Sequence, residues 1–464
     1  MRILYPETVD STGLTVEIPA PAAIGERHVT VFRDSSLVLA TQIAGLCCAV
    51  VTNFLVAWIA GREGRGLLYL LQVISGAGLT LLNFGLGPAS IYYLGRDKRY
   101  TVSRIATGLF WASIALSVTP IVVLGPFWHS VVHIFSGKIA AEFLFVALAA
   151  IPPMTLAFNI GHLCLGQGQL NAFNWLRISP SILFAVFLVS LLFTRSRGAS
   201  PVAGLWLISI VLPGLYAIVL ITRAGGTLLP RGGFSFLRNA FWFGWRSHLG
   251  TVTQYLQHRV DVFLVGYFLP LGDLGLYTFA ISLAELLWYV PQAIGTVLMP
   301  YVAASSHVEA NRITPKFCRL TIAMTALLCV TLAATATWVI PFVLPTFQSS
   351  VQLLWLLLPG TVAAGVFKVL ASDFNGRGKP LKTFYPAAIA FGACLAGGLV
   401  VIPRFGIKGE AILTTAGYLL NSALYLYLYS RMTEVRISDL LLLRRGDLFE
   451  MNQVWQSLRA HILE

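Results

Sequence analysis

The sequence predicts an all-α polytopic membrane protein of about twelve transmembrane helices in two six-helix lobes, with both termini cytoplasmic. Three observations carry this. The 464 residues are 57% hydrophobic and only 11% charged, with mean hydropathy +0.77, whereas a soluble domain carries about a quarter charged residues. From Ser35 onward the chain is a train of apolar runs, each near the ~20 residues that a bilayer crossing requires. Lys and Arg are also unevenly shared: 23 of the 32 lie in the two tails and every second connector, against 7 in the others. The positive-inside rule puts the richer side in the cytoplasm.

Taken in order, residues 1–34 are polar, are broken by Pro6, Pro19 and Pro21, and read as a cytoplasmic tail. They lack the short apolar run and small-residue cleavage site of a signal peptide. Spans are expected at 35–60, 67–94, 102–125, 139–164, 173–194 and 202–223, which make an N-terminal lobe over 35–223. A cytoplasmic linker, 224–245, leads to a second lobe over 246–430, with spans at 246–269, 275–304, 316–344, 349–373, 382–402 and 409–430. Pro152 and Pro153, Pro291 and Pro300, and Pro359 are expected to kink or break their helices. The tail 431–464 is cytoplasmic or interfacial, and RISDLLLLRRGDLFEMNQVWQSLRAHILE has the pattern of an amphipathic anchor helix.

An internal echo supports two lobes. Asn53 to Tyr69 resembles Val262 to Thr278 at a constant offset: Phe54-Leu55-Val56 match Phe263-Leu264-Val265, and Gly66-Leu67 match Gly275-Leu276. This equates the first hairpin with that of the seventh and eighth helices, as in parallel repeats related by an axis along the membrane normal.

The net charge of +13 invites a nucleic-acid reading, but the basic residues are those of cytoplasmic connectors, and no nucleic-acid partner is expected. The six cysteines, Cys47, Cys48, Cys164, Cys318, Cys329 and Cys394, fall in or beside apolar runs and read as small buried hydrophobes. His129 and His133 share a helix face but lack a third ligand, so no metal site is expected. There is no GxSxG, HExxH, P-loop or CxxC pattern and no large extramembrane domain; the chain does not read as an enzyme, and no cofactor is expected.

The residues that can carry chemistry concentrate in the seventh helix. At 100° per residue from Arg246, the residues Gln257, Gly250, Asp261, Gln254 and His258 fall at about 20°, 40°, 60°, 80° and 120°. Such a stripe either lines water or hydrogen-bonds a neighbouring helix; a carboxylate and an imidazole together favour water. Arg259 lies off it, at about 220°, roughly ten residues below the hairpin turn, and Glu285 lies equally far below that turn on the next helix. Both are then ~15 Å deep. They either form an interhelical ion pair or leave Arg259 as a cationic site for a phosphate. Lys368, near the cytoplasmic end of the tenth helix, either snorkels to the interface or meets lipid headgroups. Arg246, Gln254, Gln257 and His258 join Arg259 and Lys368 as substrate-binding candidates; Asp261, Glu285 and Asp373 are the ion-coupling candidates. Asn53, Asn83, Asn159 and His162 are accounted for by hydrogen bonding within the core.

Four stretches, LCLGQGQLNAFNWLR (Leu163 to Arg177), DVFLVGYFLPLGDLGLYTFAISL (Asp261 to Leu283), PQAIGTVLMPYVAASS (Pro291 to Ser306) and NGRGKP (Asn375 to Pro380), resemble the bacterial oligosaccharide flippases of the Wzx type. These share a superfamily with multidrug-and-toxin extruders and lipid II flippases. The resemblance implies alternating-access transport of an undecaprenyl-pyrophosphate-linked oligosaccharide across the bacterial inner membrane, for O-antigen or exopolysaccharide biosynthesis. It implies the lipid bilayer as environment and a polysaccharide polymerase and glycosyltransferases as partners. On that picture the pyrophosphate enters near Lys368 and is held by Arg259, and Asp261, Glu285 or Asp373 couples H+ or Na+. Related flippases often carry arginines in the first helix; here 35–60 is uncharged, so the cationic site rests mainly on Arg259 and Lys368. The alternative within the superfamily is an ion-coupled exporter of amphipathic cations, which needs exposed carboxylates.

Overall fold

The computed structural model describes residues 24–96, 100–124, 139–194, 196–229, 234–379, 381–442 and 444. The chain divides into a unit Met1–Ala44, whose residues 24–44 are helical, and a unit Gly45–Glu464, to which everything below refers. The helices are α1 (Ile24–Leu82), α2 (Leu86–Arg96), α3 (Val102–Leu124), α4 (Ala141–Gly166), α5 (Leu170–Thr194), α6 (Ala199–Arg223) and α7 (Phe234–Phe268). They continue as α8 (Leu271–Leu286), α9 (Tyr289–Ala304), α10 (His307–Val343), α11 (Ser349–Gly376), α12 (Leu381–Thr433) and α13 (Ile437–Leu441), with a 3-10 turn at Pro345–Phe347. No strand occurs among the described residues.

Glycine divides the two longest helices. Gly61 (φ 67°, ψ −168°) interrupts α1 and Gly406 (φ 61°, ψ −152°) interrupts α12. Positive φ is costly for any residue with a Cβ, so each is a hairpin turn. Among the described residues, nine helices are long and apolar enough to cross a membrane. Divided at the two glycines, and joined by the long but more polar α7, they give the twelve crossings that the sequence predicts.

Of the expected proline effects, one is a true break. Pro291 has no N–H to give the carbonyl of Leu287, and the eighth span is split there into α8 and α9. Pro152, Pro153, Pro300 and Pro359 sit within continuous helices. Ser306 caps α10 by accepting the Glu309 N–H at 3.3 Å, one half of a capping box. Differences from the sequence reading concern boundaries: the span expected over 67–94 is divided at 83–85 between α1 and α2. The helix of the seventh span starts at Phe234, inside the stretch expected to be a linker, and α12 runs on to Thr433. The expected amphipathic tail is described only as the five-residue α13 and lies otherwise outside the described residues, as do His129 and His133.

Packing sorts the helices into two bundles. α4 lies against α2, α3, α5 and α6; α11 lies against α8, α9, α10 and α12. α7 bridges them, running along α12 while its first turns meet α2 and α3. Gly85 and Gly244 allow that second contact: a Cβ on Gly244 would stand 2.3 Å from the Phe84 carbonyl oxygen. The densest part of the core is α8, where every residue from Leu274 to Ala284 except Ser282 is buried.

The two hairpins that echo each other in sequence touch in space. A Cβ on Gly66 would lie 2.2 Å from the Leu271 carbonyl oxygen and 2.8 Å from the Gly275 nitrogen. A Cβ on Gly275 would lie 1.9 Å from the Arg62 carbonyl oxygen. The matched glycines are therefore the point where backbone meets backbone between the two halves.

Candidate functional site

Below that contact the bundles separate around a cavity of about 660 Å³. Its walls come from both segments of α1, from α5, and from α7, α8, α9 and α11. It extends from Asn53 and Arg65 near the hairpins to Thr251 on α7 and Gln292 on α9. On the second segment of α1 the lining runs from Arg65 to Thr80, ~22 Å along the helix axis.

Arg259 and Glu285 meet in a two-pronged ion pair, Nη1–Oε1 2.7 Å and Nη2–Oε2 3.1 Å. Nη1 also donates to the Tyr69 hydroxyl at 2.8 Å. Both side chains nonetheless border the cavity, 22% and 16% exposed. Arg259 is thus paired and also borders the cavity.

Arg65 corrects the sequence reading. It falls between the expected spans 35–60 and 67–94, among the seven charges of the poorer connectors, yet it is 4% exposed and lines the cavity. Because Gly61 makes the turn, Arg65 already lies on the helix that follows. Its Nε and Nη2 donate to Asn53 Oδ1 at 3.0 and 2.8 Å, and Nη2 also to Ser282 Oγ at 2.8 Å. Its guanidinium stands 4.9 Å from the centroid of the Tyr69 ring. Asn53, read as a core hydrogen-bonding residue, is thus the acceptor that holds this arginine. Arg65 and Tyr69 belong to α1, and Ser282, Arg259 and Glu285 to α7 and α8, so this network ties the two echoing hairpins together.

Lys368 belongs to the same cavity, with Nζ 4.1 Å from the centroid of the Trp288 ring, a cation–π contact. Among the described residues no oxygen acceptor lies within hydrogen-bonding distance of its ammonium. Arg65, Arg259 and Lys368 put three cations on one cavity, and among its lining residues Glu285 is the one carboxylate.

The polar stripe of α7 is split. Gln254 and His258 line the cavity, and His258 donates its Nδ1–H to the Gln254 carbonyl at 2.6 Å. Gln257 and Asp261 turn away from it into the contact with α12 and α8. Gln257 Oε1 accepts from Asn421 Nδ2 at 3.3 Å, and Asp261 Oδ2 accepts from the Tyr277 hydroxyl at 2.6 Å. The reason is angular: the members at about 20° and 60° face α12, and the cavity begins near 80° and runs through Tyr255 to Arg259 at about 220°. Asp261 continues through Tyr277 and Thr414 (2.9 Å) to Glu410 (3.4 Å), a carboxylate only 1% exposed that the sequence reading missed. Its signal was the Glu410–Thr414 spacing of four, which places both on one helix face. Asp261 Oδ1 and Glu410 Oε2 are buried with no hydrogen-bond partner among the described residues.

Asp373 lies elsewhere. It is fully buried, paired with Arg377 (Nε–Oδ1 2.6 Å) and accepts from Thr314 Oγ1 at 2.7 Å. Arg377 continues to Asn311 Oδ1 at 2.8 Å. This is a satisfied structural pair outside the cavity. Arg246 begins the membrane portion of α7, but its side chain lies outside the described residues.

Residues 31–306, more than half of the chain, match the family described as Polysaccharide biosynthesis protein. No curated protein matches the sequence. Among solved structures, the lipid II flippase MurJ in an inward closed conformation is similar over 92% of this chain and 93% of that one, at 15% identity and TM-score 0.66. The inward-facing conformation of a MATE family multidrug resistance transporter of the MOP superfamily is similar over 85% and 95%, again at 15% identity and TM-score 0.66. A MOP superfamily transporter from Pyrococcus furiosus, described as having a binding pocket of reversed polarity, matches over 86% and 94% at 16% identity and TM-score 0.56. A train of long apolar helices among the described residues, two bundles meeting at matched glycines and a cavity between them agree with these likenesses: the chain belongs to the polysaccharide biosynthesis protein family and has a fold like that of MOP superfamily transporters.

Proposed function

We propose that the protein is a flippase that carries an undecaprenyl-pyrophosphate-linked oligosaccharide across the bacterial cytoplasmic membrane by alternating access, for cell-surface polysaccharide assembly. The observation that supports this best is the convergence of Arg65, Arg259 and Lys368 on one cavity with a single carboxylate among its lining residues. Guanidinium groups suit two-point contact with phosphate oxygens, and an ammonium adds a mobile point charge. An arriving pyrophosphate competes with Glu285 and Tyr69 for Arg259, which weakens the ties between the hairpins and favours their separation. With both termini cytoplasmic, the hairpins form the outer closure.

The exporter of amphipathic cations is disfavoured by the same site, because the lone carboxylate is already held by Arg259. In this reading the buried pair Asp261 and Glu410, rather than Asp373, couples an ion. Asp261→Asn is then expected to make transfer insensitive to an imposed H+ or Na+ gradient; unchanged gradient dependence removes Asp261 from that role.

A binding measurement tests the cavity. Purified protein is expected to bind inorganic pyrophosphate, and Arg65→Ala to weaken that binding about tenfold, the loss of one charge-assisted contact. Titration calorimetry reads both. No binding by the unaltered protein, or equal binding by the variant, overturns this assignment.

A further inference from the structure

A second cavity, of about 480 Å³, opens inside the N-terminal bundle and shares Ala49, Thr52, Gln72 and Phe184 with the first. Its character is different. The cationic cavity carries three cations; this one is walled chiefly by Met154, Phe158, Phe173, Leu176, Phe184 and Trp206, with Arg177 as its one charged lining residue.

The sequence explains why a space exists there. The walls are α1, α4, α5 and α6, and the last three each carry an internal proline. Pro180 and Pro213 lie on the cavity wall itself. Each proline removes a backbone hydrogen bond and bends its helix. α4 and α6 pack closely, and a Cβ on Gly214 would stand 2.5 Å from Pro153 Cβ. Helices that bend cannot stay in contact with every neighbour along their whole length. The gap left between them is lined mainly by apolar side chains, with Gln72, His162, Arg177, Ser181 and Ser209 also on its wall.

We infer that this chamber holds the isoprenoid segment next to the pyrophosphate of the lipid carrier. The inference rests on the flippase reading and adds the place of the tail. Its basis is continuity. A pyrophosphate among Arg65, Arg259 and Lys368 is bonded directly to the first isoprene unit, and those carbons cannot extend into a polar space without loss of hydrophobic stabilisation. Thr52, Gln72 and Phe184 line both spaces, so the mainly apolar one lies directly beside the charged one. Its volume lies within the range of ordinary ligand pockets, about 300–1,000 Å³, so it takes a few isoprene units, with the rest of the tail left to the bilayer. The oligosaccharide, attached through the other phosphate, stays in the wider polar cavity.

The test compares farnesyl pyrophosphate, a short isoprenoid with the same headgroup, with inorganic pyrophosphate. Ala157→Phe and Gly161→Leu each fill the chamber; Ala157 lies on its wall, and a Cβ on Gly161 meets nothing closer than 3.7 Å. Each is expected to weaken farnesyl pyrophosphate about tenfold or more through lost apolar burial, and to leave pyrophosphate affinity unchanged, which also shows that the cavity is folded. Equal farnesyl pyrophosphate affinity in wild type and both variants overturns the inference. So does a variant effect on tetraphenylphosphonium alone, which would make the chamber a site for amphipathic cations. If wild type binds farnesyl pyrophosphate in a chamber-dependent way but does not bind pyrophosphate, the chamber stands as an isoprenoid site and the assignment of the cationic cavity fails.

Discussion

Gly275→Val is expected to abolish lipid transfer while leaving pyrophosphate binding intact. At this position a Cβ would stand 1.9 Å from the Arg62 carbonyl oxygen and 2.8 Å from its carbonyl carbon. Both are backbone atoms in a helical turn, so neither can swing aside as a long side chain would. The opposing Gly66 is equally closed in, by Leu271 and Gly275 itself. Valine therefore forces the hairpins apart. Overpacking of this kind costs about 1–3 kcal/mol where neighbours can adjust, and against fixed backbone the upper end applies. A cost of that size borne only by the closed arrangement shifts a two-state equilibrium about tenfold to a hundredfold. A transporter that must return to this arrangement in every cycle then stalls. The measurement is the rate at which reconstituted protein moves a fluorescent undecaprenyl-pyrophosphate sugar. A wild-type rate in the variant removes the glycine contact from the cycle.

The second large effect concerns Arg259. Arg259→Ala removes a cavity cation but also leaves Glu285 as an uncompensated charge in a largely buried place. Breaking a buried pair by deleting one partner costs about 3–5 kcal/mol. The modest exposure of both side chains to the cavity puts this case at the low end. The single variant therefore loses both stability and transfer, which by itself does not identify a ligand contact. The double variant Arg259→Ala, Glu285→Ala separates the two roles. It is expected to recover thermal stability, because no lone charge remains, and still to lose pyrophosphate binding and lipid transfer by about tenfold or more. Recovery of transfer along with stability would make the pair purely structural.

Much of the fold was legible because membrane crossing imposes a length and a composition that periodic reading detects. The twelve stretches, the broken eighth span at Pro291 and the Gly66/Gly275 correspondence all follow from local sequence. Arg65 was misplaced for a local reason as well. The turn at Gly61 is made by one residue, so what looked like a connector from 61 to 66 is mostly helix, and its second arginine points inward. The stripe on α7 was correct in angle but not in environment. Periodicity gives the direction of a side chain, not what stands there; α12 takes one part of the arc and the cavity the other. Glu410 was overlooked because it begins a span, where a charge is ordinarily solvated. Its burial depends on Tyr277 and Thr414, which come from two different helices. The partner of Lys368, the ring of Trp288, is likewise a product of the α8–α9 break that no spacing rule supplies.

The account as a whole turns on whether lipid moves through the protein as the hairpins separate. A Cβ on Gly272 would lie 4.0 Å from Arg62 Cβ, within the range a disulfide requires. In a background free of the six native cysteines, Arg62→Cys with Gly272→Cys is expected to cross-link under oxidation. Transfer of a fluorescent undecaprenyl-pyrophosphate sugar should then cease and return on reduction. Cross-linked protein that transfers lipid at the reduced rate, or reduced protein that transfers none, would contradict alternating access through this cavity.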